Sequence, residues 1–165
     1  MPDMPRIEVR AARPYLGRAL TTSIDREAAD VVRQFAELRR WLHAHGRETT
    51  GAPFIRYREI EMPHRLAIEA CLPIASMAQG SGGIVADDLP AGRYAVLEHV
   101  GPLDGLVAAN ERLQRWAEES GLHFDMRRRG PASLWQARTE TYLTDPAATH
   151  DPGSTRTELA YRLAD

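Results

Sequence analysis

The stretch GRALTTSIDREAADVVRQFAELRRWLHAHG, Gly17 to Gly46, aligns without a gap on GRYAVLEHVGPLDGLVAANERLQRWAEESG, Gly92 to Gly121. Seven of the 30 positions coincide: Gly17/Gly92, Arg18/Arg93, Val32/Val107, Leu38/Leu113, Arg40/Arg115, Trp41/Trp116 and Gly46/Gly121. Repetition at a fixed spacing is the mark of a duplicated structural unit. Each copy opens on a strand-like run, passes a turn or cap, and continues as a helix. Ala28, Val31, Val32, Phe35, Leu38 and Leu42 recur at steps of three and four residues in the first copy, and Leu106, Ala109, Leu113, Trp116 and Ala117 do so in the second. That spacing predicts one apolar face per helix. Asp25 and Glu27 suit the first turn of the first helix, and Gly46 and Gly121 suit the stops.

Working outward, each helix is followed by two strand candidates. They are Phe54–Arg58 and Leu66–Leu72 in the first copy, Ser133–Gln136 and Arg138–Leu143 in the second. A last strand is predicted at Glu158–Leu163, after the polar loop DPAATHDPGST that opens on the turn signal Asp145-Pro146. The glycine-rich stretch from Ala78 to Gly92 reads as the connection between halves. The expected fold is α+β: tandem β-α-β-β modules over residues 6–77 and 91–165, a connection over 78–90, antiparallel sheets, and two helices packed on one side, in one domain spanning 1–165.

Composition supports one compact core, with 43% hydrophobic residues in 165. Lys plus Arg number 21 against 23 for Asp plus Glu, a balance without the basic footprint of a nucleic-acid binder. The opening MPDMPRIEVR has no apolar signal region, and the single cysteine, Cys71, excludes an intramolecular disulfide framework. These features predict a cytoplasmic protein with no membrane partner.

LPAGRYAVLEHVGPLDGL, LQRWAEESG, TETYLTDP and the terminal RTELAYRL together resemble the GyrI-like family, as do Trp41–Gly46, GAPFIRY and IEACLPI in the first half. That family includes effector-binding domains of bacterial multidrug-sensing regulators. The resemblance covers roughly Ile7 to Leu163 and implies two modules about a pseudo-twofold axis with a ligand cleft between them. The domain begins almost at residue 1, so direct contact with nucleic acid is not expected. A member of the family is named for inhibiting DNA gyrase, which makes a protein partner conceivable, although nothing in the charge pattern points to one.

Two glutamates, Glu69 in LAIEACLP and Glu140 in RTETYLTDP, sit in the middle of strand-like runs. A carboxylate among apolar neighbours is costly unless it is paired, protonated or used. Glu140 shares its strand face with Arg138 and Tyr142, so an ion pair with Arg138 and a pocket carboxylate both remain open. The two glutamates read as counterparts in the duplication, each preceding the proline, Pro73 or Pro146, that closes its segment. By the resemblance, Glu140 matches the glutamate that receives cationic drugs among aromatic rings. Tyr57, Trp135, Tyr142, Tyr94 and Phe54 are the candidate walls, with Glu69 a second carboxylate. Trp41 and Trp116 lie on helix stripes and belong to the core.

Other chemistry finds little footing. His43 and His45 are two residues apart, the wrong step for a helical metal pair, and His64, His99, His123 and His150 are scattered. GSGG at Gly80–Gly83 lacks the Lys-Ser/Thr ending of a phosphate loop, no nucleophile elbow occurs, and Cys71 reads as a small buried hydrophobe. The arginine run Arg127–Arg129 reads as a charged loop. No metal or cofactor is expected. The sequence thus predicts a module that binds aromatic, lipophilic and often cationic small molecules. The alternative is a hydrolase of cyclopropanoid toxins, as some GyrI-like proteins are, with Glu140 as base and Tyr142 or Tyr94 as donor.

Overall fold

The computed structural model describes residues 4–145 and 151–165. Pro146 and His150, placed by the sequence in the long polar loop, lie outside the described residues. Ten strands and two α-helices follow the order β1 (Arg6–Arg10), β2 (Arg13–Thr22), α1 (Glu27–Ala44), β3 (Phe54–Glu61), β4 (Arg65–Pro73), β5 (Ile84–Leu89), β6 (Gly92–Val100), α2 (Leu106–Glu119), β7 (Met126–Arg129), β8 (Ala132–Trp135), β9 (Arg138–Tyr142) and β10 (Arg156–Arg162).

The strands form one antiparallel sheet in the order β1-β6-β10-β9-β3-β4-β2-β5, with β7 and β8 as a hairpin beside β3. Taken inward from both edges, this order pairs β1 with β5, β6 with β2, β10 with β4 and β9 with β3. β2 and β6 each feed a helix, so the duplication appears as a mirrored strand order about the β3–β9 seam. At that seam Phe54 faces Thr141, Ile55 faces Glu140 and Arg56 faces Thr139. A bulge between Tyr57 and Glu59 then turns β3 toward β8, where Glu59 pairs with Leu134.

The helices obey their stripes except at Ala28 and Val32, which the first helix turns to solvent at the edge of its apolar face. On α1, Val31, Phe35, Leu38 and Leu42 are buried against Leu66, Ile68, Ala70 and Leu72 of β4, the same-face residues of one strand. On α2, Ala109 and Leu113 pack with Ala95, Leu97, Leu159 and Tyr161. Trp41 and Trp116 are partly buried against these two cores. Each helix is stopped by a glycine in the left-handed region, Gly46 at φ +62° and Gly121 at φ +70°. The opposite face of the sheet carries its own cluster of Tyr15, Phe54, Cys71, Leu89, Tyr94, Val96 and Ala160.

Three segments depart from the sequence expectation. Residues 84–89, read as connection, form β5 on the edge of β2. There Arg58 holds Asp87 at 2.8 Å, which gives a charged segment a place in the sheet. β1, assigned by position to the first module, pairs instead with β6 of the second. The arginine run Arg127–Arg129 is a strand rather than a loop, exposed at the rim and paired with β8, where long cations are readily solvated.

Candidate functional site

The helices stand over the two half-sheets, α1 on β2 and β4 and α2 on β6, and leave a gap above the seam. A cavity of about 750 Å³ fills it. Its floor is the seam itself, with Ile55 and Tyr57 of β3, Arg138, Glu140 and Tyr142 of β9, and Trp135 of β8. Glu27, Val31 and Phe35 of α1 form one wall, and Leu106, Asn110 and Gln114 of α2 the other.

Glu140 is the centre of the floor. It is half-buried, its accessible part opening on the cavity. The Tyr142 hydroxyl donates to it at 3.2 Å and the Asn110 amide at 3.4 Å. Burial pushes its carboxyl above the ordinary carboxylate range, against the pull of the Arg138 charge and the hydrogen bonds of Asn110, Tyr142 and Tyr57. Among the described residues Arg138 does not close an ion pair on Glu140. Its guanidinium reaches Asn110 Oδ1 at 3.5 Å and lies over the Tyr161 and Trp135 rings, at 4.4 and 4.7 Å from their centroids. Asn110 is the hub: it donates to Glu140 and to the Leu106 carbonyl, and accepts from Arg138 and from the Tyr161 hydroxyl.

A second carboxylate shares the cavity. Glu27, in the first turn of α1, accepts a hydrogen bond from the Tyr57 hydroxyl. Burial pushes the Glu27 carboxyl up to about 7, with the Glu140 charge adding to the rise and the Tyr57 hydrogen bond and Arg138 opposing it. Burial also holds the Tyr57 and Tyr142 hydroxyls well above the usual phenol range, so both act as hydrogen-bond donors.

The mouth gathers exposed apolar side chains among charged ones. Val32 on α1 is 68% exposed and Val107 on α2 is 60% exposed, and Ile24, Met62 and Leu103 join them. The two valines are matched positions of the duplicated segment, so each copy contributes one exposed side chain to the rim. Exposed apolar groups gathered around a cavity are a binding feature more than a folding one.

Of the sequence-predicted site residues, Glu140, Tyr142, Tyr57 and Trp135 come together on this cavity. Glu69, Phe54 and Tyr94 do not, because the sheet separates them from it. Phe54 neighbours Ile55 on the same strand and so faces the other way, packed edge-on against Tyr15. Tyr94 lies in that same cluster and donates to the Pro90 carbonyl at 2.6 Å. Glu69 accepts from the Tyr15 hydroxyl and is paired with Arg58 at 3.2 Å, on the face away from the helices. Nor is Glu69 the counterpart of Glu140, since the mirrored order places β4 against β10 and β9 against β3. A recess of about 700 Å³ also opens on that face, but its Arg10 is already bound to Glu8 and Glu158 and no ring lines it.

Sequence reasoning missed Glu27 and Asn110. Glu27 stands at i, with Val31 and Phe35 at i+4 and i+8, so its place on the inward face was legible in the helical step. Asn110 stands one turn from Leu106 and next to the Ala109 stripe, inside the apolar face rather than opposite it. Cys71 is fully buried and burial holds its thiol well above the usual range, which leaves it inert. Among the described residues no three His, Cys, Asp or Glu side chains converge as metal ligands, and no helix is long and apolar enough to cross a membrane.

The sequence model described as GyrI-like small molecule binding domain matches residues 3–164. No curated protein matches the sequence. Among solved structures, the C-terminal domain of EcmrR superposes with a TM-score of 0.78 at 17% identity, covering 100% of this chain and 99% of that one. The EcmrR chain in its DNA complex gives 0.81 at 16% identity, and this chain spans 59% of its length. A hydrolase from Listeria innocua gives 0.64 at 13% identity over 97% of this chain and 91% of that one. SAV2435 bound to tetraphenylphosphonium gives 0.60 at 11% identity over 98% of this chain and 94% of that one. At these identities the likeness is one of fold.

Proposed function

The chain belongs to the GyrI-like small-molecule-binding domain family, and we propose that it is a binding module for lipophilic, aromatic cations, held in the cavity between the two helices and the sheet seam. The Glu140 carboxylate on the cavity floor carries this reading. It is partly withdrawn from water, only partly compensated by Arg138, and bordered by Tyr57, Tyr142 and Trp135. A carboxylate in that condition is stabilised by any cation that can reach it, and aromatic faces favour a delocalised one. The exposed valines at the mouth supply the apolar contact that such a ligand's rings require. That SAV2435, a protein of the same fold, is seen with tetraphenylphosphonium makes this cation the natural first probe. The proposed setting is the bacterial cytoplasm, in keeping with a single buried and unpaired thiol.

The decisive comparison is wild type against Glu140→Gln, titrated with tetraphenylphosphonium and with an uncharged triaryl analogue. Glutamine keeps the shape and one of the two accepted hydrogen bonds and removes the charge. Cation affinity is expected to fall roughly 10- to 100-fold, about 1.4 to 2.7 kcal/mol, while the neutral analogue changes by no more than about twofold. Equal losses for both ligands would refute charge recognition by Glu140.

One feature favours a second reading. A carboxylate whose proton affinity is raised, beside two tyrosine hydroxyls and an amide, has the parts of a general base with hydrogen-bond donors for a carbonyl. Under that reading Glu140 activates water and Tyr142 steadies the substrate oxygen of a cyclopropanoid. Turnover of such a compound by wild type and its loss in Glu140→Gln would favour hydrolysis over binding alone.

A further inference from the structure

Glu27 belongs to no established feature of the site. Its carboxylate could have remained in water at the start of α1, where an acid favours the helix dipole without leaving solvent. It turns inward instead: the Tyr57 hydroxyl donates to Glu27, and Glu27 and Glu140 line the same cavity, near enough for the Glu140 charge to raise the Glu27 carboxyl. Two carboxylates that share one partly buried cavity repel each other when both are ionised, which favours a proton on one of them.

The surroundings relieve that repulsion only in part. From β9 the Tyr142 hydroxyl donates to Glu140, and the Arg138 guanidinium faces both acids but is held against Asn110, Trp135 and Tyr161. From α2 the Asn110 amide faces Glu140, and Gln114 is neutral. β3 contributes only Tyr57. The remaining charges, Arg39 of α1, Glu111 of α2, Arg128 of β7 and Asp145, line the cavity's outer parts. Two acids and one arginine therefore share the interior, and one added proton makes it neutral.

We propose that Glu27, held by the Tyr57 hydroxyl, and Glu140 form a proton-holding pair within one cavity, and that a cationic ligand enters this cavity in exchange for the proton, which leaves to solvent. This rests on the cation-binding reading above. The consequence is selection by charge: a permanent cation replaces the proton one for one, a neutral ligand leaves it in place. Glu27 is the residue that couples affinity to pH, with Glu140 the group nearest the bound charge. The burial that lifts the Glu27 carboxyl to about 7 places the exchange in the physiological range.

The test uses tetraphenylphosphonium, which has no proton of its own, so any proton released comes from the protein. Wild type, Glu27→Gln and Glu27→Asp are titrated calorimetrically at pH 6, 7 and 8 in two buffers of different ionisation enthalpy. For one proton exchanged at a group titrating near 7, wild type binds about tenfold tighter at pH 8 than at pH 6, and releases about half a proton at pH 7. Glu27→Gln is expected to bind with the same affinity at all three pH values within about twofold, near the wild-type value at pH 6, and to release no proton. Glu27→Asp keeps a titratable acid and should regain both the slope and the release. Wild-type binding that depends on Glu140 but shows no slope and no proton overturns the exchange while leaving the cation reading intact. A Glu27→Gln profile that parallels wild type overturns it equally. No binding of the cation to wild type at any pH removes both.

Discussion

Replacing Glu27 by Gln should make the empty protein more stable at neutral and alkaline pH, although it removes a hydrogen-bonded side chain. In the unfolded chain this carboxyl titrates near its ordinary 4.5; in the fold, burial moves it to about 7. Between those values the folded protein holds a proton that the unfolded chain has given up. Stability from this group is therefore complete below about pH 4.5 and is lost as pH rises through 7. Each tenfold change in proton affinity is worth about 1.4 kcal/mol, so the displacement corresponds to roughly 3 kcal/mol at most. The side chain retains some contact with water, and the Tyr57 hydrogen bond is better made to a charge than to an amide, which together reduce the expected net gain to about 1 to 2 kcal/mol. For a chain of this size that is about 2 to 8 °C in Tm. Urea unfolding at pH 5, 6, 7 and 8 reads the effect directly. Wild type and variant should coincide near pH 5 and separate progressively, the variant being the more stable at pH 8. Parallel curves, or a variant less stable throughout, would refute the burial of an ionisable acid at this position.

Two further substitution experiments probe the frame around the site. Leu113→Ala should cost about 2 to 4 kcal/mol, because Leu113 is fully buried under α2 and its loss leaves a cavity; Val107→Ser on the same helix should change stability by less than about 0.5 kcal/mol and weaken lipophilic ligands only. Arg56→Met should destabilise by about 3 kcal/mol in chemical denaturation: Arg56 is 2% exposed and donates to the Tyr15 hydroxyl at 2.8 Å, the Asp88 carbonyl at 3.0 Å and the Gln136 carbonyl at 2.7 Å, so its loss strands acceptors in both halves of the sheet.

The helices and most strands were legible in the sequence because their signal is local. Leu38 and Leu113, Trp41 and Trp116, Gly46 and Gly121 announce two equivalent helices by spacing alone, and the alternation of Leu66, Ile68, Ala70 and Leu72 fixes which face of β4 meets α1. What the sequence withheld depends on partners far away in the chain. β5 could not be read from GIVADDL because Asp87 finds its counter-charge on Arg58 of β3. β1 could not be assigned to the second half because strand pairing across the chain leaves no local trace. The same reason separates Glu69 from Glu140. Both sit mid-strand among apolar residues, and only the sheet order and the pleat decide that one faces the helices and the other faces Tyr15 and Arg58.

The site's chemistry arises where the two copies have ceased to match. The gapless alignment sets Val32 against Val107, and both remain as the exposed rim of the cavity. It sets Phe35 against Asn110, and there the copies diverge: one helix presents a ring that packs edge-on near Tyr142, the other an amide that orders Glu140, Arg138 and Tyr161. Glu27 has no acidic counterpart, since its aligned position in the second copy is Pro102. A symmetric pair of modules would produce an apolar groove with two equal ends. Substituting an amide for a ring on one wall and adding an acid on the other makes the interior polar at the seam where Glu140 stands. On the proposed reading a ligand brings its charge to that depth and its rings to the valines, an orientation that neither module alone could impose.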